Sequence, residues 1–242
     1  MAVCIGLCGA APLAAQSPTG PQVPAKAPEI IRVPTQPTPD KPPIPAEEMI
    51  RRFAAQEDAF ARARQGYGYR RTVRLDELGL DGKPAGSAEV ATDYEISADG
   101  NLHPRTVKKP ESTLHVVGLE PDALEMLARI PPFPLVTAEL PKYDVAYQTM
   151  EAVDELTTYV FRVTPKQLDR THAYFSGLIW VDDHDLAIVK TYGKWVSESG
   201  DVSPPQLPFT TFETYRQPVS NKDWLPAYSR SDGSLRKRTA AD

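Results

Sequence analysis

The sequence predicts a mainly β protein of the α+β type, built on a large antiparallel sheet with few helices. Apolar and polar residues alternate over many short segments between residues 67 and 231, and this is the period of half-buried strands. Turn-forming residues separate consecutive segments, as in Leu80–Lys83 and Ser97–Asn101. Short polar turns of this kind connect the strands of hairpins. We therefore expect most strands to pair with their neighbours along the chain.

The long helical pattern precedes the strands, in residues 46–65. Strong helix formers dominate this segment, and two glutamates lie in its first turn, where the helix dipole favours acidic side chains. Met49, Phe53 and Phe60 recur at helical spacing. The pattern predicts a helix that packs on a sheet through these three side chains.

Strands are predicted at residues 67–75, 88–96, 102–107, 143–150, 157–164, 174–181, 186–192, 209–216 and 222–231. In the strand 157–164 we expect one buried face and one wet face, and the buried set is Thr157, Tyr159, Phe161 and Val163. A short helix is predicted at residues 121–128. The following segment, 130–135, is rich in proline and should be irregular, because proline removes backbone donors.

The N-terminal residues differ in composition from the rest of the chain. Residues 1–16 are apolar and small and end in Leu13-Ala14-Ala15, which is typical of a cleaved secretory signal peptide. The next segment, 17–45, is rich in proline: of the 25 prolines in the chain, 10 lie between Ser17 and Ala46. This composition predicts a disordered tether, or alternatively a proline-rich ligand for a partner. The folded domain is expected to span residues 46–242.

Composition and motifs argue against several function classes. The formal net charge is −5 and charges of both signs are mixed along the chain, so nucleic-acid binding is not expected. Both cysteines, Cys4 and Cys8, lie in the signal-like segment, and its removal would leave no thiol for catalysis or metal binding. No GxSxG, HExxH, P-loop or dinucleotide glycine pattern occurs. We therefore predict no catalytic residues, no cofactor, no metal site and no transmembrane span.

The run Asp182-Asp183-His184-Asp185 stands between two apolar segments. Its carboxylates could bind a hard cation or supply acid and base groups. However, it lacks the spacing and the glycine of a calcium loop, and aspartates are common in tight turns because their side chains bond the local backbone. The sequence favours a hairpin turn, with a metal or acid/base site as the alternative.

The segment from Gly177 to Lys190 matches the pattern Gly-x-Ile-Trp-Val-Asp-x-x-Asp-x-x-Ile-Val-Lys. Further matching segments are Phe212–Arg216 and Trp224–Tyr228. These residues resemble periplasmic proteins of the LolA/LolB type, the outer-membrane lipoprotein-sorting family, and the resemblance covers residues 46–235. It implies a curved antiparallel open half-barrel with helices covering its concave face. It also implies a hydrophobic cleft that receives acyl chains, with no catalysis.

With this resemblance, we expect a monomeric periplasmic carrier or binding protein for a lipid or an acylated lipoprotein. From strand alternation alone, the residues expected to line its hydrophobic cleft are Tyr159, Phe161, Val163, Ile179, Val181 and Ile188. Leu178 and Trp180 belong to the alternate face. Two alternatives remain: an envelope sensor of the same fold that binds a partner protein, and a metal-dependent enzyme that uses Asp182–Asp185.

Overall fold

Helix α1 (Ala46–Arg64) forms where the sequence predicts it. The computed structural model describes residues 42, 44–98, 100–115, 132–202, 210–219 and 223–231. These residues belong to one compact unit, Pro37–Asp242. Acidic side chains lie in the first turn of α1 and basic ones in the last turn, and both placements suit the helix dipole. The buried residues of α1 are Met49, Phe53, Ala54, Glu57 and Phe60.

The smaller sheet is an antiparallel meander of three strands in the order β1-β2-β3. Its strands are β1 (Tyr69–Leu78), β2 (Pro84–Ile96) and β3 (Leu102–Ser112). The two connecting turns are those predicted, and each contains a glycine with positive φ: 73° at Gly82 and 79° at Gly100. Residues with a β-carbon rarely adopt this conformation, so glycine fits both turns.

The larger sheet has seven strands, and six of them follow the order β10-β9-β7-β6-β5-β4, while β8 pairs with β7. Every pairing in it is antiparallel. A short 3-10 helix, Leu140–Lys142, leads into it. The strands are β4 (Tyr143–Val153), β5 (Leu156–Pro165), β6 (Tyr174–Asp182), β7 (Ile188–Ser197), β8 (Gly200–Asp201), β9 (Thr211–Pro218) and β10 (Trp224–Arg230).

This architecture confirms the predicted fold class. Both sheets are antiparallel, and within the described ranges neither closes on itself. Helix α1 packs on one face of the larger sheet, which we call the inner face, through residues that join the main apolar core. An open sheet with a helix over its inner face is consistent with a curved half-barrel.

Two details of strand β5 differ from the prediction. Thr157 is exposed, whereas Thr158 next to it is fully buried. The outer face, opposite to the inner one, is not uniformly wet: Val160 is only 2% exposed there and packs with Trp180 and Val189. The side chain of Trp224, from β10, joins this second apolar layer.

Several predicted features lie outside the described residues. They are the signal-like segment 1–16, nearly all of the tether 17–45 and the short helix 121–128. The segment 132–135 is described and has no regular secondary structure, as its prolines predict. Leu135 in this segment is fully buried in the main core.

Candidate functional site

The structure brings the six predicted cleft residues together on the inner face of the larger sheet. Phe161 lies opposite Ile179, and Tyr159 lies opposite Val181, which in turn lies opposite Ile188. Residues paired across antiparallel strands project to the same side of the sheet. We call this set the apolar wall; it comprises Tyr159, Phe161, Val163, Ile179, Val181 and Ile188.

Helix α1 covers the apolar wall. The ring of Phe53 packs edge-on against the ring of Phe161, with centroids 5.5 Å apart. Met49 and Ala54 join the same core, together with Leu135 from the irregular segment. All six wall side chains are therefore between 0% and 4% exposed. In this state the wall and the helix form one apolar core, so a ligand would reach the wall only after α1 moves.

A pair of glycines shapes the neighbouring part of the inner face. Gly177 on β6 lies opposite Gly193 on β7. A β-carbon at Gly193 would lie 2.6 Å from the Cζ atom of Phe175 and 2.6 Å from the carbonyl oxygen of Ser176. The missing side chain therefore lets the phenyl ring of Phe175 lie over Gly193 and extend the core at the edge of the wall.

The outer face of the same strands has a polar cover. The indole N–H of Trp180 donates to a carboxylate oxygen of Glu151 at 2.8 Å, and the ammonium group of Lys190 lies 4.6 Å from the ring centre of Trp180. Lys190 in turn forms an ion pair with Glu213 at 2.7 Å. Trp180 is thus buried on the face opposite the wall, while Leu178 beside it is half-buried.

A buried ion pair joins α1 to the inner face. Both carboxylate oxygens of Glu57 accept hydrogen bonds from the guanidinium of Arg216 on β9, and the Nη2–Oε2 distance is 2.9 Å. Both side chains are 0% exposed. Arg216 also donates to the carbonyl oxygen of Pro132 at 3.0 Å, and its guanidinium lies 5.1 Å from the ring centre of Phe133. This bidentate pair is the main polar contact between the helix and the sheet among the described side chains.

Burial sets the electrostatics of this pair. Loss of solvent raises the pKa of the Glu57 carboxyl, while the adjacent guanidinium of Arg216 opposes that shift. A buried charge without its partner is costly, so each member holds the other in place. Sequence reasoning missed this pair, although Glu57 follows Phe53 by four residues and precedes Phe60 by three. That spacing puts a carboxylate on the apolar face of α1, and it is the sequence feature from which a buried charge could have been predicted.

The run Asp182–Asp185 is a turn, as the sequence favours. The buried carboxylate of Asp182 accepts hydrogen bonds from the backbone N–H groups of His184, at 3.2 Å, and of Asp185, at 2.7 Å. The turn closes with Leu186 at a φ of 50°. The Asp182 carboxylate therefore stabilises the hairpin turn. Within the ranges that the structure describes, no group of three or more His, Cys, Asp or Glu side chains is placed to hold a metal ion.

A depression of about 550 Å³ lies on the smaller sheet, away from the apolar wall. The rings of Tyr69 and Tyr94 stack in its lining with centroids 4.6 Å apart, and Arg70 forms an ion pair with Asp93 beside them. The depression is open, and the carboxylate of Glu95 in its lining accepts hydrogen bonds from Arg105. No helix among the described residues is long and apolar enough to cross a membrane.

No family model and no curated protein sequence matches the chain. Among solved structures, the chain is similar to MucB, with 12% identity and a TM-score of 0.31 over 71% of this chain and 74% of that one. It is similar to a LolA superfamily protein from Nitrosomonas europaea, with 14% identity and a TM-score of 0.35 over 80% and 88%. It is also similar to a DUF1329 family protein from Desulfovibrio piger, with 16% identity and a TM-score of 0.31 over 74% of this chain and 85% of that one.

The TM-scores are low, so the strand order, the register and the covering helix define the fold of this chain. The identities, between 12% and 16%, concern the fold alone and assign no ligand.

Proposed function

We propose that the protein is a periplasmic binding or carrier protein that holds a lipid or acylated ligand against the apolar wall without catalysis. The observation that carries the proposal is the wall itself. Six apolar side chains from three adjacent strands, β5, β6 and β7, share one face, and among the described residues helix α1 and Leu135 pack over them. A hydrocarbon chain and an apolar helix face are interchangeable covers for such a surface, since both remove it from water.

The contacts of α1 with the sheet set the length of alkyl chain that could replace them. Burying a large apolar side chain contributes about 1.5–3 kcal/mol, so Met49, Phe53 and Phe60 together contribute on the order of 5–9 kcal/mol to docking α1. An alkyl chain gains about 0.8 kcal/mol per buried methylene. Roughly 6–11 buried methylenes would therefore offset the loss of the helix contacts. The proposal accordingly favours ligands with medium or long alkyl chains.

A chain-length series tests the proposal. Neutral alkan-1-ols of increasing length would be titrated against the purified protein in competition with a neutral, environment-sensitive naphthylamine probe. The affinity should rise about fourfold per added methylene until the wall is filled. Native mass spectrometry of the freshly purified protein should also reveal co-purifying lipid.

A matched pair of variants places the binding site. Val181→Ala shortens a side chain on the wall, and Val153→Ala makes the same change beside the outer layer around Trp180. The first should weaken alkanol binding several-fold, and the second should leave it unchanged. No alkanol binding and no co-purified lipid, together with a tightly bound protein partner, would refute the carrier function in favour of the envelope-sensor alternative.

A further inference from the structure

Arg216 lies on the same face as the apolar wall. Phe161 pairs with Ile179, Ile179 pairs with Thr191 and Thr191 pairs with Thr214, so this row of side chains points to the inner face. Arg216 follows Thr214 by two residues on the same strand, and side chains two apart on a strand project to the same side. The sheet therefore presents one buried cation beside the wall.

The counter-ion of Arg216 lies on helix α1 and not on the sheet. Glu57 is on α1, between Phe53 and Phe60, and reaches Arg216 through the bidentate contact described above. Movement of α1 as one body away from the wall would take the carboxylate of Glu57 away from Arg216. The guanidinium would keep the Pro132 carbonyl and the face of the Phe133 ring, but neither carries a negative charge.

Arg216 also has an unused donor. Its Nε atom is buried and has no hydrogen-bond partner in the part of the chain that the structure describes. A guanidinium binds planar anionic groups with two parallel N–H donors. Arg216 could therefore donate to one more oxygen atom, in addition to those of Glu57 and Pro132.

We propose that Arg216 anchors the anionic head of the bound amphiphile, and that Glu57 takes the place of this head while α1 covers the wall. The inference rests on the proposed function and narrows its ligand to an alkyl chain that ends in a carboxylate. A neutral head would leave the buried guanidinium unpaired when α1 moves, and a cationic head would repel it. The inference thus favours a free fatty acid over the acyl chains of a lipoprotein, whose attachment point is neutral.

Three ligands that share one chain length test the head group. Laurate, dodecanol and dodecylamine would compete with the neutral naphthylamine probe at about pH 8, where a carboxylic acid is ionised and an amine protonated. In the wild-type protein, laurate should bind at least about tenfold more tightly than dodecanol, because hydrogen bonds to charged groups are strong. Dodecylamine should bind more weakly than either.

Two variants test whether the preference for laurate depends on Arg216 and Glu57. Glu57→Gln removes the competing carboxylate and should keep the preference for laurate or increase it. The double variant Glu57→Leu with Arg216→Met removes both charges, and apolar replacement of a buried ion pair often leaves a protein folded and stable. It should bind laurate no more tightly than dodecanol, because a carboxylate without a counter-ion is costly to bury, and thermal denaturation of each variant would verify that it is folded.

The outcomes separate the two proposals. If laurate and dodecanol bind the wild-type protein equally well, Arg216 serves only to attach α1, and the carrier function stands without the anionic anchor. A preference for laurate that persists in the folded double variant would equally overturn the role of Arg216. If no ligand of the three binds to any variant, the proposed function fails and this inference fails with it.

Discussion

Phe53 on α1 and Phe161 on β5 are both fully buried, and their rings meet edge-on with centroids 5.5 Å apart. Phe53 covers the apolar wall, and Phe161 is part of it. This contact is part of the protein core, and in the proposed function it would separate when a ligand reaches the wall. A substitution on α1 that weakens this contact should consequently raise the affinity for a ligand, because the ligand has to displace the helix.

Phe53→Ala is expected to lower the free energy of unfolding by about 3–5 kcal/mol, the usual cost of removing a buried phenyl ring. The variant should also bind alkanols more tightly, since less contact is lost when α1 moves. Urea denaturation and probe competition would measure the two effects. Arg52→Ala, one residue earlier on the exposed side of α1, should change the free energy of unfolding by no more than about 0.5 kcal/mol.

If Phe53→Ala lost stability without any gain in alkanol affinity, the helix would be ordinary core and not a movable cover. Denatured protein could mimic a gain, because it also exposes apolar groups. The comparison is therefore made at a temperature at which circular dichroism shows the variant to be folded.

Gly193→Ala is expected to lower the free energy of unfolding by about 1–3 kcal/mol, the typical cost of overpacking. The added methyl group would lie 2.6 Å from the ring of Phe175 and from a backbone oxygen, so either the ring or the strand must shift. Ser176→Ala, at a half-buried position of the partner strand, adds no atom and serves as the control. Equal stabilities of the two variants in urea denaturation would show that the close approach of β6 and β7 is not tightly constrained.

Asp182→Ala is expected to lower the free energy of unfolding by about 1–3 kcal/mol, because two backbone N–H groups would lose their acceptor. Asp183→Ala, at an exposed position of the same turn, should cost no more than about 0.5 kcal/mol. Elemental analysis should find no bound metal in the wild-type protein or in Asp183→Ala. Stoichiometric metal that is lost in Asp183→Ala would instead support the metal-dependent enzyme.

Asp169 makes the stability dependent on acid pH. The hydroxyl of Tyr174, followed by the backbone N–H groups of Thr171 and His172, holds the pKa of the Asp169 carboxyl well below its ordinary value of 3.8. A lowered folded-state pKa means that this contribution is fully present above about pH 4 and is lost as pH falls towards the folded-state value. The carboxylate in turn raises the pKa of the Tyr174 hydroxyl to about 12.

The melting temperature should therefore be higher for the wild-type protein than for Asp169→Asn at neutral pH, and the difference should shrink below about pH 4. Tyr174→Phe removes the largest cause of the shift, so it should reduce the amount of stability that is lost below about pH 4. A difference between wild type and Asp169→Asn that stays constant down to strong acid would contradict this assignment.

Local patterns were sufficient to predict α1, the strand positions and the Asp182–Asp185 turn. The spacing of Met49, Phe53 and Phe60 depends only on helix geometry, and the alternation along β5 and β6 separates the two faces of a sheet. Alternation does not reveal whether a face is covered, because the cover comes from distant residues. Val160 is buried on the outer face for this reason, beneath a layer to which Trp224 of β10 contributes.

The polar part of the candidate site was not predictable in the same way. Glu57 was visible as a carboxylate on an apolar helix face, but its partner Arg216 lies 159 residues away. Nothing local in β9 distinguishes Arg216 from an exposed arginine. Only the antiparallel order β10-β9-β7, which places β9 beneath α1, brings the two charges together.

Hydrogen–deuterium exchange with and without saturating dodecanol tests the central claim most directly, namely that α1 is a movable cover over the apolar wall. Dodecanol has a neutral head, so the result does not depend on Arg216. We predict faster exchange of the α1 amides in the complex, while the amides of β5 and β6 exchange no faster than before. Bound dodecanol that leaves exchange in α1 unchanged or slower would contradict the account, because the ligand would then occupy some other place while the helix stayed on the wall.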